Sequence, residues 1–229
     1  MSEREKILAR IREALTVAAP VPGAHDHHAP PVSEREAVTH VREWLPIGGE
    51  TIEQRLELFR VKSLELKTDF RLLGSESELA GELAKLAKEE GWKKIGAHRF
   101  DLFRTCDDAL DLPVILTDDG YDVNELESCD AGITGCDALI AQTGSVLVSS
   151  RSAGGRALSV LPPHHVVLAR CGQLLPDLPS AMELLETRYA PGYPSFISLI
   201  TGPSRTGDIE RILVLGAHGP KKLTILCIP

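Results

Sequence analysis

The sequence predicts an α/β protein with a mixed, largely parallel sheet flanked by helices and preceded by an N-terminal helical appendage. Three observations carry that expectation. Beyond Asp69, short apolar runs interleave with helical patterns and then follow one another as strand after strand. Before Asp69, only helical periodicity is present. The 229 residues, 43% hydrophobic and 25% charged, suit one substantial α/β domain with an appendage.

The elements follow in order. Ile7, Leu8, Ile11 and Leu15 share one helical face, with Ser2 and Glu5 as a capping box. This helix stops before Pro20, where APVPGAHDHHAPP begins a Pro- and His-rich linker over residues 19–32. Helical patterns then cover residues 33–45 and 51–68. These segments make an N-terminal helical region of residues 1–60, followed by an α/β domain over residues 61–229. In that domain, residues 70–73 read as a strand, 78–90 as an amphipathic helix stopped by Gly91, and 94–97 and 113–117 as strands. Strands follow at 131–134, 138–141, 145–148 and 166–169, then a helix at 180–188. Apolar strands at 196–200, 212–215 and 223–227 close the chain.

The net charge of −8 disfavours nucleic acid as a partner. Ten acidic residues stand against Arg104 alone between Asp101 and Asp130, which reads as a solvated face or as a docking surface for a basic partner. No apolar run reaches the ~18 residues of a membrane span. The start, MSEREKILARIREAL, lacks the continuous apolar stretch of a secretory leader. Five cysteines without C-x-x-C spacing fit reduced thiols in a cytoplasmic protein, not a zinc or iron–sulfur site. No bound cofactor is expected. His25, His27 and His28 in the linker offer metal-ligand chemistry, but ligation there costs ordering entropy and needs further ligands from elsewhere.

Three stretches carry candidate chemistry. In DALIAQTGSVLVSS, Gln142-Thr143-Gly144 is a tight turn between strands, and Ser149 to Ser152 with Gly154-Gly155 offer hydroxyls, N–H groups and a cation. The segment reads equally as an anion nest and as a plain hairpin with a loop. In ALSVLPPHHVVLAR, His164 and His165 enter a strand pointing to opposite faces, either as structural residues or with one serving as acid or base. In TGPSRTGDIERILVLGAHGPKK, the G-x-x-x-x-G spacing of Gly202 and Gly207 starts like a phosphate-binding P-loop. Asp208 and Ile209 then replace its Lys and Ser/Thr, so Thr206 or Gly207 serves as a helix start, or Asp208 faces a ligand. No nucleophile–base pair is recognisable by spacing.

Taken together, DALIAQTGSVLVSS, GRALSVLPPHHVV and GPSRTGDIERILVLGAHGPKKL resemble the LutC/YkgG family, lactate-utilisation protein C with its LUD domain. The resemblance implies a fold like that of the NagB/RpiA/CoA-transferase group. It also implies a place in a three-part system that oxidises L-lactate to pyruvate, with the iron–sulfur clusters held by the other two subunits as partners. The motif positions it carries over are Asp137, Thr143, Gly144, Arg156, Pro162, His165, Ser204, Thr206, Asp208, Glu210, Gly216, His218, Gly219 and Pro220. Many members carry Glu before the Thr-Gly turn. Gln142 stands there in this chain, and an amide forms no acyl anhydride, which argues against CoA-transferase chemistry.

The expectation is therefore a non-redox subunit that binds a small anionic ligand or cofactor. Its ligand would be held among Asp137, Gln142, Thr143, Gly144, Arg156, His165, Ser204, Thr206, Asp208, His218 and Gly219. The alternatives are an independent enzyme acting on a sugar phosphate, CoA ester or folate-like substrate, and a purely structural adaptor.

Overall fold

The computed structural model describes residues 3–16, 48–206, 214–215 and 219–229. The chain divides into two units, Met1–Leu45 and Pro46–Pro229. In the first, helix α1 (Glu3–Thr16) exposes Ile7 and Leu8. The Ser2 cap, the linker and the helix predicted over 33–45 lie outside the described residues.

The second unit opens with α2 (Ile52–Leu66). Thr51 caps it by accepting from the Gln54 N–H at 3.3 Å, while the Gln54 side chain accepts from the Thr51 N–H. Lys67, at φ +60°, stops it. The boundary expected at residue 60 falls inside this helix, whose Phe59 is fully buried edge-on against Phe70. After β1 (Asp69–Leu72), α3 (Glu76–Glu90) is capped by Ser75 and ended by Gly91 at φ +69°. It buries Leu79, Leu83, Leu86 and Ala87, the i, i+4, i+7, i+8 stripe.

Next come β2 (Ile95–Ala97), α4 (Asp101–Asp107), β3 (Val114–Leu116), α5 (Val123–Glu127) and β4 (Ala131–Thr134). A hairpin of β5 (Ala138–Ile140) and β6 (Ser145–Ser149) leads to β7 (His164–Arg170), β8 (Leu174–Leu175) and α6 (Leu178–Tyr189). The chain ends with β9 (Ile197–Ile200), β10 (Arg205–Thr206), β11 (Val214–Leu215) and β12 (Lys222–Ile228).

The strands form three sheets where the sequence reading gave one. The main sheet, in the order β1-β12-β7-β4-β2-β3, is parallel throughout. A second sheet, β8-β5-β6-β9, is antiparallel at β5–β6 and β6–β9 and parallel at β5–β8. β10 and β11 form a small antiparallel ribbon. The division follows from the connections. The four-residue link from Ile140 to Ser145 is long enough only for a hairpin, whereas parallel neighbours need a long crossover.

Residue alternation sets the layers. Ile95, Ala97, Ile133, Val166, Leu168 and Leu226 pack against α3 and α4. Val167, Ala169, Ile225 and Cys227 face the other way, onto Phe59 and the second sheet's Leu139, Val146 and Val148. The far side of the second sheet, through Ala138, Ile140 and Leu147, is closed by Ala181, Leu185 and Tyr189 of α6. Both faces of the central strands are thus buried, which is why β7 and β12 read as nearly continuous apolar runs. At Gly132 the backbone of the 157–159 turn crosses so closely that a Cβ would stand 2.2 Å from the Leu158 carbonyl oxygen.

All five cysteines are free thiols. Among the described residues, no helix is long and apolar enough to cross a membrane.

Candidate functional site

The order in which the chain adds strands to the main sheet reverses between β4 and β2, although the strands stay parallel. β2 continues through α4 on one face to β3 at the sheet edge, while β4 continues through the second sheet on the other face to β7. Where neighbouring parallel strands send their connections to opposite faces, a crevice opens at their carboxyl ends. Here it has a volume of about 330 Å³. His98, Arg99, Phe100 and Asp101 follow β2 into it, Gly135 and Cys136 follow β4, and Arg170 ends β7. Arg151, Ser152 and Gln173 complete the wall. Two other hollows, of about 450 Å³ between α3 and the loop before β3 and about 400 Å³ beside α2, lie away from this crevice.

Three guanidinium groups give the crevice its chemistry. Arg99 forms a two-pronged pair with Asp119, at 2.7 and 2.6 Å. Arg170 pairs with Glu76 at 2.6 Å. Arg151 rests over the Tyr189 ring and donates to the Gly192 carbonyl; among the described residues it makes no ion pair. Gln173 bridges the wall, donating to the Cys136 carbonyl at 2.6 Å and accepting from the Arg170 N–H at 2.8 Å. Arginines at a concave end of a sheet suit a small oxyanion.

Asp137 lies behind this wall, buried. Its Oδ1 accepts from the Tyr189 hydroxyl at 2.5 Å and from Arg188 at 2.9 Å, and its Oδ2 accepts from the Ser152 hydroxyl at 2.8 Å. Ser152 Oγ also accepts from the Ser149 N–H. The Ala153 N–H donates to the Ser149 carbonyl and the Gly155 N–H to that of Ser150, so the loop after β6 is tied down to Asp137. Asp137 is thus 2% exposed and joins the loop after β6 to α6.

The other residues expected to form one site are dispersed. Gln142, Thr143 and Gly144 form the turn at the opposite end of β5 from Asp137. Thr143 donates to Ser145, which shares a hydrogen bond of 2.7 Å with Thr201. Gly144, at φ +66°, presses against Lys62 of α2. Arg156 sits over the Phe196 ring. The Ser204 N–H donates to the Pro220 carbonyl, bringing Ser204 beside Gly219. Arg205–Thr206 pairs with Val214–Leu215, so Thr206 is part of a strand, while Gly207, the other residue considered as a helix start, lies outside the described residues. Asp208, Glu210, Gly216 and His218 lie outside the described residues, as do His25, His27 and His28.

His164 and His165 do face opposite ways. His164 bonds Thr224 at 2.8 Å and meets Trp92 edge-on; His165 bonds Thr134 at 2.8 Å. Burial pushes their pKa values down to about 4 and about 3. Both rings are neutral inside the sheet, which suits packing better than proton transfer.

Sequence reasoning missed His98, Arg99, Arg170 and Gln173. The available signal was IGAHRF, three buried residues followed at once by His and Arg, which is what the carboxyl end of a parallel strand presents to a crevice. Among the described residues, no three His, Cys, Asp or Glu side chains gather as a metal site.

The LUD domain family model matches residues 35–228. An uncharacterised protein of Neisseria meningitidis serogroup B is 29% identical across all of this chain and 94% of its own length. Lactate utilization protein C is 37% identical over 100 residues in Halalkalibacterium halodurans, spanning 43% of this chain and 44% of that protein. In Bacillus subtilis it is 32% identical over 108 residues, spanning 46% and 45%. These two matches therefore cover about half of each protein's length. The crystal structure of a DUF162 family protein from Deinococcus radiodurans superposes with a TM-score of 0.62 at 21% identity, covering 79% of this chain and 100% of that one. It supports the α/β fold alone.

Proposed function

The chain belongs to the LUD domain family, and from that premise we propose that it acts in lactate utilisation as a non-redox subunit that binds a small anionic ligand. The likeness to lactate utilization protein C carries this reading. The crevice at the ends of β2, β4 and β7 gives the ligand a place, with Arg151 as the cation least committed to the protein itself. The partners in this reading are cytoplasmic iron–sulfur subunits that take the electrons. The Gln142–Gly144 turn, packed against α2, and the Ser204–Gly219 contact lie outside the crevice, and docking onto the partners falls to the N-terminal helices or the acidic surface between Asp101 and Asp130.

The test is a tagged pull-down from the producing organism grown on lactate, with iron–sulfur clusters detected by electron paramagnetic resonance. Near-equal recovery of cluster-bearing partners is the expected result. Recovery of the chain alone under gentle conditions, with turnover of a sugar phosphate, CoA ester or folate-like substrate, would replace this reading with an independent enzyme.

A further inference from the structure

We infer that Cys171 and Cys227 are a redox modification site, which a peroxide converts to a disulfide, and that the new bond pulls on the crevice wall at Arg170 and Gln173. The inference goes beyond the proposed function and does not depend on what fills the crevice.

The two sulfurs stand 3.7 Å apart. Cys227 lies in β12 and is paired on both sides, with Leu72 of β1 and Ala169 of β7. Cys171 directly follows β7, two residues beyond Ala169 and so on the same face. Both side chains meet in the apolar cluster between the main sheet and the second sheet. Cys227 is fully buried there, whereas Cys171 is partly exposed. Cys106 and Cys129 lie in other clusters, and Cys136, buried in this one, is the rival that a test must separate. A reachable sulfur backed by a shielded one is the arrangement in which the first is oxidised and the second resolves it.

The steps balance with hydrogen peroxide as the oxidant. The Cys171 sulfur attacks one peroxide oxygen, an S–O bond forms and the O–O bond breaks. The departing hydroxide takes the thiol proton and leaves as water, and Cys171 becomes a sulfenic acid. The Cys227 sulfur then attacks the Cys171 sulfur. The S–S bond forms, the S–O bond breaks, and the second hydroxide leaves as water with the Cys227 proton. Each sulfur gives up one electron, and the peroxide takes both. Burial pushes the Cys227 thiol pKa up, and neighbouring Cys171 adds to the shift. Cys227 therefore rests as a thiol, the more exposed Cys171 reacts first, and the resolving step is the slow one.

The bond reaches the crevice through short links. A disulfide brings its sulfurs to about 2.05 Å, well inside the present contact. Cys227 is held in the sheet, and its carbonyl also accepts from the Leu73 N–H at 2.8 Å. The movement thus falls on Cys171 and its short turn, Cys171–Gln173. Arg170 precedes that turn and Gln173 ends it, and both line the crevice. The Gln173 side chain ties the Arg170 N–H to the Cys136 carbonyl, so displacement of the turn passes on to the segment after β4.

The test is treatment of the reduced full chain with hydrogen peroxide, blocking of the remaining thiols with N-ethylmaleimide, and digestion without reductant. Mass spectrometry should find peptides joined through Cys171 and Cys227, separated again by dithiothreitol. In 1H–15N spectra the Arg170 N–H and the Gln173 side-chain amide should shift on oxidation and return on reduction, while Gly91 and Trp92, beside a different hollow, stay unmoved. Cys171→Ser and Cys227→Ser should each lose the linked peptides, and the mapping of the natural chain decides the matter if either variant fails to fold. Linkage through Cys136, oxidation of Cys171 to its sulfinic acid with Cys227 still blocked as a thiol, or recovery of all five thiols would overturn the pair. Linkage of Cys171 to Cys227 with the Arg170 and Gln173 signals unmoved would overturn the coupling to the crevice, and would leave the reading of the crevice as a ligand site untouched.

Discussion

Lowering the pH from 7 to 5 is expected to destabilise the domain by roughly 2 kcal/mol for each of His164 and His165. Their folded pKa values, about 4 and about 3, lie below the ordinary value of 6.5. Between those limits the unfolded chain binds protons that the folded chain refuses, so acid favours unfolding. The contribution is fully present above pH 6.5 and is lost as the pH falls through the folded values. Burial is the main cause for both rings. Around His164, Glu90 and Asp69 pull the other way while Lys222 and Arg71 add to the depression; around His165, the neighbouring His164 adds to it. Thermal unfolding followed from pH 7 to 4 is the measurement. His164→Phe, which keeps a ring against Trp92, should flatten the slope relative to the natural chain. A melting temperature that stays constant across this window would contradict the assignment of both rings as buried and neutral.

Asp137→Ala is expected to cost about 3 kcal/mol, a fall in melting temperature of roughly 6–12 °C. The carboxylate holds the Tyr189 hydroxyl, Arg188 and Ser152 together, and its removal leaves two hydroxyl groups to find new partners. Arg188 is 44% exposed on its side chain, so water replaces part of what it loses, and the cost stays below that of stranding a fully buried charge. Asp137→Asn, which keeps the shape and one acceptor, should fall between the two. Calorimetric scans of the three proteins decide the matter. A change of under about 2 °C for the alanine variant would show that the loop after β6 is held by something other than this carboxylate.

These two expectations mark where the sequence was legible. The helices and strands of the second unit were readable because each carries a local signal. Leu79, Leu83 and Leu86 repeat at the helical period, Gly91 stops their helix, and β7 and β12 are apolar on both faces. Short α4 and α5 were not resolved as separate elements, since seven and five residues give too little periodicity to read. The partition into three sheets was not legible either. Pairing is decided by connection length and by which face each strand buries, and both depend on distant segments. The site was hardest, for the same reason. Asp137 and Gln142 are close in sequence yet sit at opposite ends of β5, whereas His98 and Gly154 are far apart in sequence and meet beside the crevice. Family likeness picked out the turn and loop motifs. The parallel order of β7, β4 and β2 is what brings His98, Arg151 and Arg170 to one place.

The most direct test of the account is growth on lactate of a strain in which this chain is replaced by Arg151→Glu, with the protein level followed by immunoblot. The reversed charge faces the crevice while the core clusters are untouched. At an unchanged protein level, the account predicts at least about a tenfold loss of lactate-dependent growth rate, with growth on glucose unaffected. Growth on lactate equal to that of the natural strain would contradict the crevice as the working site of this protein.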